Sequence, residues 1–137
     1  MTLKQTILLY LLTLAVFFAI DMVWLGLVAK GFYRRHLGVM LSPKVNWPAA
    51  ILFYVLFIAG LLVFVIKPVL AKGGTFEAAA LGAFFGLICY ATYDLTNLAT
   101  LKDWPVLVTV IDLIWGSILG GAVSVLSVVL GRSLLKL

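Results

Sequence analysis

The chain has 137 residues, of which 65% are hydrophobic and 11% charged, with a net charge of +5 and a mean hydropathy of +1.24. A soluble domain carries about 25% charged residues, so this composition cannot clothe a water-facing surface and reads as an integral membrane protein. The modest positive charge is ordinary for basic loops between membrane spans, and nothing in it points to nucleic acid.

Four apolar stretches follow one another, at roughly 6–29, 48–66, 75–98 and 105–130. Each is near or above the ~20 residues that cross ~30 Å of hydrocarbon as a helix. Lipid forces backbone groups to pair within their own segment, and no alternating strand pattern is present. The expected fold is therefore all-α, a four-helix transmembrane bundle, with residues 1–137 forming a single membrane domain.

The first span follows Lys4 and resembles a signal peptide, but its apolar run is too long for one and no A-x-A-like cleavage site follows. It reads as a retained helix. Near its end stands DMVWLG (21–26), an aspartate three residues before a tryptophan. The segment KGFYRRHLGVMLSPKVNW (30–47) is the only long connection. Two readings of it stay open. It is an ordinary basic loop, or a short interfacial helix with Tyr33, Leu37, Met40 and Leu41 on one face and Arg34 and Arg35 level with lipid phosphates.

NWP (46–48) opens the second span and DWP (103–105) the fourth. Proline is favoured in a first helical turn, where its missing N–H has no partner to lose. The run Asp21, Leu25, Lys30 before NWP resembles Asp94, Leu98, Lys102 before DWP, which suggests two parallel hairpins; shared interface chemistry accounts for most of that likeness. Span three carries Ala78, Gly82 and Gly86, and span four carries Gly116, Gly120 and Ser124. Small residues at every fourth position let backbones approach closely, either between spans three and four or across a homodimer seam. Cys89 is the sole cysteine, so no internal disulfide forms.

Four spans put both termini on one side, A, with the turn between spans two and three, and the other two turns on side B. Lys4, Lys67, Lys72, Arg132 and Lys136 fall on side A, and Lys30, Arg34, Arg35, Lys44 and Lys102 on side B. The positive-inside rule is tied, and the orientation does not resolve.

The acids are Asp21, Glu77, Asp94, Asp103 and Asp112. Glu77 and Asp103 lie near span ends. The other three lie inside spans, where an aspartate costs about 2.5–3.5 kcal/mol at the helix centre. Counted at 1.5 Å per residue, all three sit roughly 6–12 Å below the side-B boundary. Tyr90, Asp94 and Asn97 share a face of span three, flanked by Tyr93. Asp112 and Trp115 share one on span four, as Asp21 and Trp24 do on span one, and Tyr54 enters from span two. The side-A half is mostly Leu, Val, Phe, Ala and Ile. The expectation is a cup open to side B, with an apolar floor and a ligand site of Asp21, Trp24, Tyr54, Tyr90, Tyr93, Asp94, Asn97, Asp112 and Trp115.

Three ionised carboxylates in one low-dielectric cup repel strongly. Protonation, a bound cation, or Arg34 and Arg35 folded over the mouth would relieve this. Three functions compete: binding or transport of a cation, proton or cationic amphiphile; a lipid-active enzyme; and an assembly subunit pairing its acids with a partner's basic residues. There is no HExxH, no Cys/His cluster and no Ser–His pairing, and the one histidine, His36, reads as solvated. No metal is expected and no cofactor is implied.

YDLTNLATLKDWP (93–105) and DLIWG (112–116), with DMVWLG and NWPAAILFY, resemble the small bacterial membrane-protein family known as domain of unknown function 2177. The motif residues are Asp21, Trp24, Asn46, Tyr54, Tyr93, Asp94, Asn97, Asp112, Trp115 and Gly116. The resemblance implies a four-helix protein of the bacterial inner membrane, surrounded by lipid, and points to no particular substrate.

Overall fold

In a computed structural model describing residues 1–137, the chain forms four long helices: α1 (Leu3–Leu37), α2 (Trp47–Lys72), α3 (Thr75–Thr100) and α4 (Val106–Leu135). All four are long and apolar enough to cross a membrane. Their starts follow from local chemistry. Thr2 caps α1 by accepting from Gln5 N–H while Gln5 Oε1 accepts from Thr2 N–H, which satisfies two otherwise free donors. Asn46 caps α2 through Ala49 N–H at 3.3 Å, with Pro48 in the first turn. At α3 the Glu77 carboxylate accepts from Gly74 N–H at 2.6 Å, placing a negative charge at the positive end of the helix.

Two helices widen by one residue into π turns, at Leu25–Ala29 of α1 and Leu62–Ile66 of α2. The second has a direct cause. Pro68 offers no N–H to the carbonyl four residues back, and Lys67 N–H reaches five residues back to Leu62 O. The first has no proline near it, and its effect is on register. Helix geometry at 100° per residue would place Tyr33 roughly 120° around α1 from Asp21. One extra residue absorbed in the π turn returns it to roughly 20°. Asp21, Ala29 and Leu37 are accordingly all buried on one side.

The segment 30–47 thus divides. Its first part, to Leu37, is a continuation of α1 rather than a separate interfacial helix, and its remainder is irregular. Leu37 packs with Trp104 and Val108, pinning the end of α1 to the α3–α4 connection.

The closest packing is between α3 and α4, and α1 makes its main contact with α4. A methyl group added at Gly86 would strike the Gly116 carbonyl oxygen, and one at Gly120 the Gly82 carbonyl oxygen. The glycine rows seen in the sequence are used within the chain, where the two backbones touch. On side A, Leu9, Phe17, Phe57, Ile58, Leu119 and Val123 belong to one continuous apolar core. The first half of α2 meets α1 only briefly and has sparse contact with α3 and α4, whereas its second half packs on both. That divergence leaves space on side B.

Replacing Gly86 or Gly120 by Leu should push α3 and α4 apart, at an overpacking cost of about 1–3 kcal/mol. Gly31→Ala, which meets open space, should be neutral or stabilise by up to about 1 kcal/mol through helix propensity. Thermal unfolding of the purified variants in mild detergent separates the two classes.

Candidate functional site

The antiparallel packing of α1 against α4 brings the two Asp-x-x-Trp phrases together. On α1 the tryptophan stands on the side-B side of its acid; on α4 it stands on the side-A side. Trp24 and Trp115 therefore meet, with ring centroids 4.4 Å apart and planes 7° from parallel. Asp21 lies beside this stack, 5% exposed. Trp115 turns its indole toward the Asp21 carboxyl without closing a hydrogen bond.

Asp21 and the stack line a cavity of about 200 Å³ with Tyr33, Tyr54 and Tyr90. Leu25 of α1 and Ala50 and Phe53 of α2 complete its wall. Leu25 and Phe53 are exposed on the outside of the bundle, and Ala50 is partly so. The opening thus lies between α1 and the first half of α2, where those helices diverge. Phe17, Phe18 and Phe53 surround the Tyr54 ring at centroid distances of 5.4–5.8 Å. They fix it in place below the mouth.

Asp94 and Asp112 do not line this cavity. They face each other across the α3–α4 seam, close enough for their charges to interact. Asp94 is 0% exposed, and neither of its carboxyl oxygens has a donor from the rest of the chain. Asp112, 4% exposed, accepts from the Tyr33 hydroxyl. Tyr90, near all three acids, stands between the pair and Asp21. The three acids therefore do not share one cup: one lines an aromatic cavity and two form a sealed pair behind it. No three acidic, histidine or cysteine side chains converge on a common point as a metal site would require.

The pair is positioned by a short polar chain on its side-B flank. Trp104 Nε1–H donates to Thr109 Oγ1 at 3.0 Å, and that hydroxyl lies 3.4 Å from the Asp94 carbonyl oxygen. Both residues are buried, so they tie the end of α3 to the start of α4.

The remaining residues expected at the site lie at its margin. Tyr93 is 56% exposed on the outer face of α3, with its ring edge-on to Trp104 at 5.7 Å. Asn97 is half-buried, three residues beyond Asp94, and lies outside the cavity lining. Arg34 and Arg35 do not fold over the mouth; they line a different cleft with Lys102. Tyr33 is the residue that pattern reading missed. Ordinary helix periodicity places it away from Asp21, and only the π turn at Leu25–Ala29 brings it round.

Comparison with curated proteins and with solved structures gives no match. A family model described as predicted membrane protein (DUF2177) matches residues 6–129. That range takes in the whole of α2 and α3 and all but the outer ends of α1 and α4, together with the cavity and the acid pair. The chain, a multi-pass membrane protein, therefore belongs to the family of predicted membrane proteins termed domain of unknown function 2177.

Proposed function

We propose that this protein binds a small organic cation, or the cationic headgroup of an amphiphile, at Asp21 in the aromatic cavity, as an intramembrane site of the bacterial inner membrane. One observation carries the reading: Asp21 is the only carboxyl group on a cavity whose other polar or aromatic lining is Trp24, Trp115, Tyr33, Tyr54, Tyr90 and Phe53. A desolvated cation over such ring faces gains about 2 kcal/mol or more from the ring quadrupoles. The carboxylate supplies the opposite charge that a buried cation needs, and the cation relieves the cost of burying Asp21.

The lateral mouth between α1 and α2 favours a ligand that arrives from the lipid, with a hydrocarbon tail left outside beside Leu25 and Phe53. Ser, Thr, Cys and His are absent from the cavity lining, so binding or transport is preferred to nucleophilic chemistry on a lipid. The apolar core on side A closes the cavity floor. Passage to that side would require α1 or α2 to move.

The Asp94–Asp112 pair fits the same reading as a proton-holding element. Two facing carboxylates cannot both stay charged in a dry seam. A single proton shared between them converts repulsion into a hydrogen bond, and Tyr33 donates to the charge that remains. Because Tyr33 also lines the cavity, the occupancy of the cavity and the state of the pair are mechanically linked through one side chain.

Binding of dodecyltrimethylammonium to the purified protein in nanodiscs, followed by the change in tryptophan fluorescence, tests the cation site. Asp21→Asn should weaken binding at least about tenfold, a loss of roughly 1.4 kcal/mol. Trp24→Ala should weaken it by a similar factor, and Trp47→Phe should leave it unchanged. Protonated Asp21 is neutral and holds no cation, so affinity should rise with pH until Asp21 is fully ionised. Equal affinity in wild type and Asp21→Asn would remove the reading. Separately, Tyr33→Phe strips Asp112 of its hydroxyl donor and should cost about 1–3 kcal/mol, seen as a lower melting temperature. Tyr10→Phe, whose hydroxyl bonds the Val55 carbonyl near the surface, should cost less.

A further inference from the structure

On the same side of the bundle, away from the aromatic cavity, the end of α1 forms a second recess that the cation reading does not use. Thirty-five residues of α1 extend roughly 52 Å at 1.5 Å each, well beyond the ~30 Å of hydrocarbon. Its last turns therefore stand at the membrane surface. They are held there by Leu37 against Trp104 and Val108. Trp104 is itself fixed by its bond to Thr109. Between them Asp103 takes a left-handed backbone conformation with φ 61°, which few residues other than glycine adopt, although aspartate does so more readily than most.

This anchor sets Arg34 and Arg35 of α1 opposite Lys102 of the α3–α4 turn, across a cleft of about 600 Å³. Three basic side chains line it against one acid, Asp103. His36 joins the lining with its ring held by the Phe32 carbonyl at 2.9 Å. Val39 and Met40 of the lining, with Leu41 beside them, are exposed, an apolar edge of the kind that enters the headgroup layer.

We propose that this cleft binds the phosphate of an anionic lipid headgroup. Guanidinium groups present a planar fork that matches phosphate oxygens, and lysine adds a point charge from the opposite wall. The apolar edge at Val39 and Met40 lies where acyl chains begin. Arg34 and Arg35 also complement the negative end of the α1 dipole, but that role needs no second wall and gives no lipid preference. The proposal is independent of the cation site and stands or falls separately.

The test uses the full chain in nanodiscs of equal phosphatidylcholine and phosphatidylglycerol, with retained lipids counted by native mass spectrometry. Wild type should retain phosphatidylglycerol in preference, by about tenfold, from charge terms of this size. The double variant R34Q/R35Q should lose that preference. Lys102→Gln, on the opposite wall and outside α1, should reduce it severalfold and serves if the double variant does not fold. Lys30→Gln, on α1 but outside the cleft lining, should keep it. No preference in wild type, or an undiminished preference in folded R34Q/R35Q and Lys102→Gln, overturns the proposal. Millimolar inorganic phosphate is the second arm. Stabilisation of lipid-free protein by phosphate, with no lipid preference, would assign the cleft to a soluble anion and overturn the lipid assignment. Retention of lipid unaffected by phosphate supports it.

Discussion

Everything on side B depends on how closely α3 and α4 approach. At Gly82, Gly86 and Gly120 one backbone lies directly on the other, a facing carbonyl oxygen standing where a side chain would be, and Gly116 leaves room for the Tyr90 ring. In lipid there is little hydrophobic drive between helices, so contact of this kind is what holds them together. It has a consequence one turn further along. Two helices this close cannot keep Asp94 and Asp112 apart, and the acids are pressed into one dry seam. The same approach sets Tyr90 against Gly116, where its ring separates the pair from the cavity.

α1 completes what that seam leaves open. A straight helix would present Asp21 and Trp24 to α4 and carry Tyr33 away from it. The π turn between them spends one residue to rotate the upper segment, and Tyr33 comes to rest on Asp112. One helix thereby serves both parts of the site, with Asp21 and Trp24 in the cavity and Tyr33 at the wall shared with the acid pair. π turns are frequent at functional sites because they re-aim side chains without breaking a helix. α2 contributes by its divergence: the start of the helix has only sparse contact with α3 and α4, and the cavity occupies the space.

Charge is organised by the same geometry. Asp21, Asp94 and Asp112 lie inside the bundle and Arg34 and Arg35 lie outside it, at the end of α1, so neither group neutralises the other. A chain with this arrangement holds apart two recesses of opposite sign. One is aromatic and acidic beneath the surface, the other basic at the surface, and α1 runs past both.

Much of this was readable in the residues. Mean hydropathy and four runs of about twenty apolar residues set the class and the helix count, because hydrocarbon accepts little else. The glycine spacing marked the faces of α3 and α4 that touch, and the direction of each span put Trp24 and Trp115 at one level, but their stacking depends on the packing of α1 against α4. Counting residues from the expected span ends put Asp21, Asp94 and Asp112 at one level along the bundle, and Tyr90 lies near all three. Counting fixes depth, however, and not azimuth. That Asp21 faces an open cavity while Asp94 and Asp112 are sealed together depends on which helices touch. So does the outward position of Tyr93. The placement of Tyr33, and the pinning of Leu37 that sends Arg34 and Arg35 to Lys102, depend on a one-residue widening that no local pattern near Leu25 announces. Depth in the membrane is a property of the sequence because it follows from hydrophobicity along one axis. Which side chains meet is decided by tertiary structure, because helix rotation is set by packing against neighbours distant in the chain.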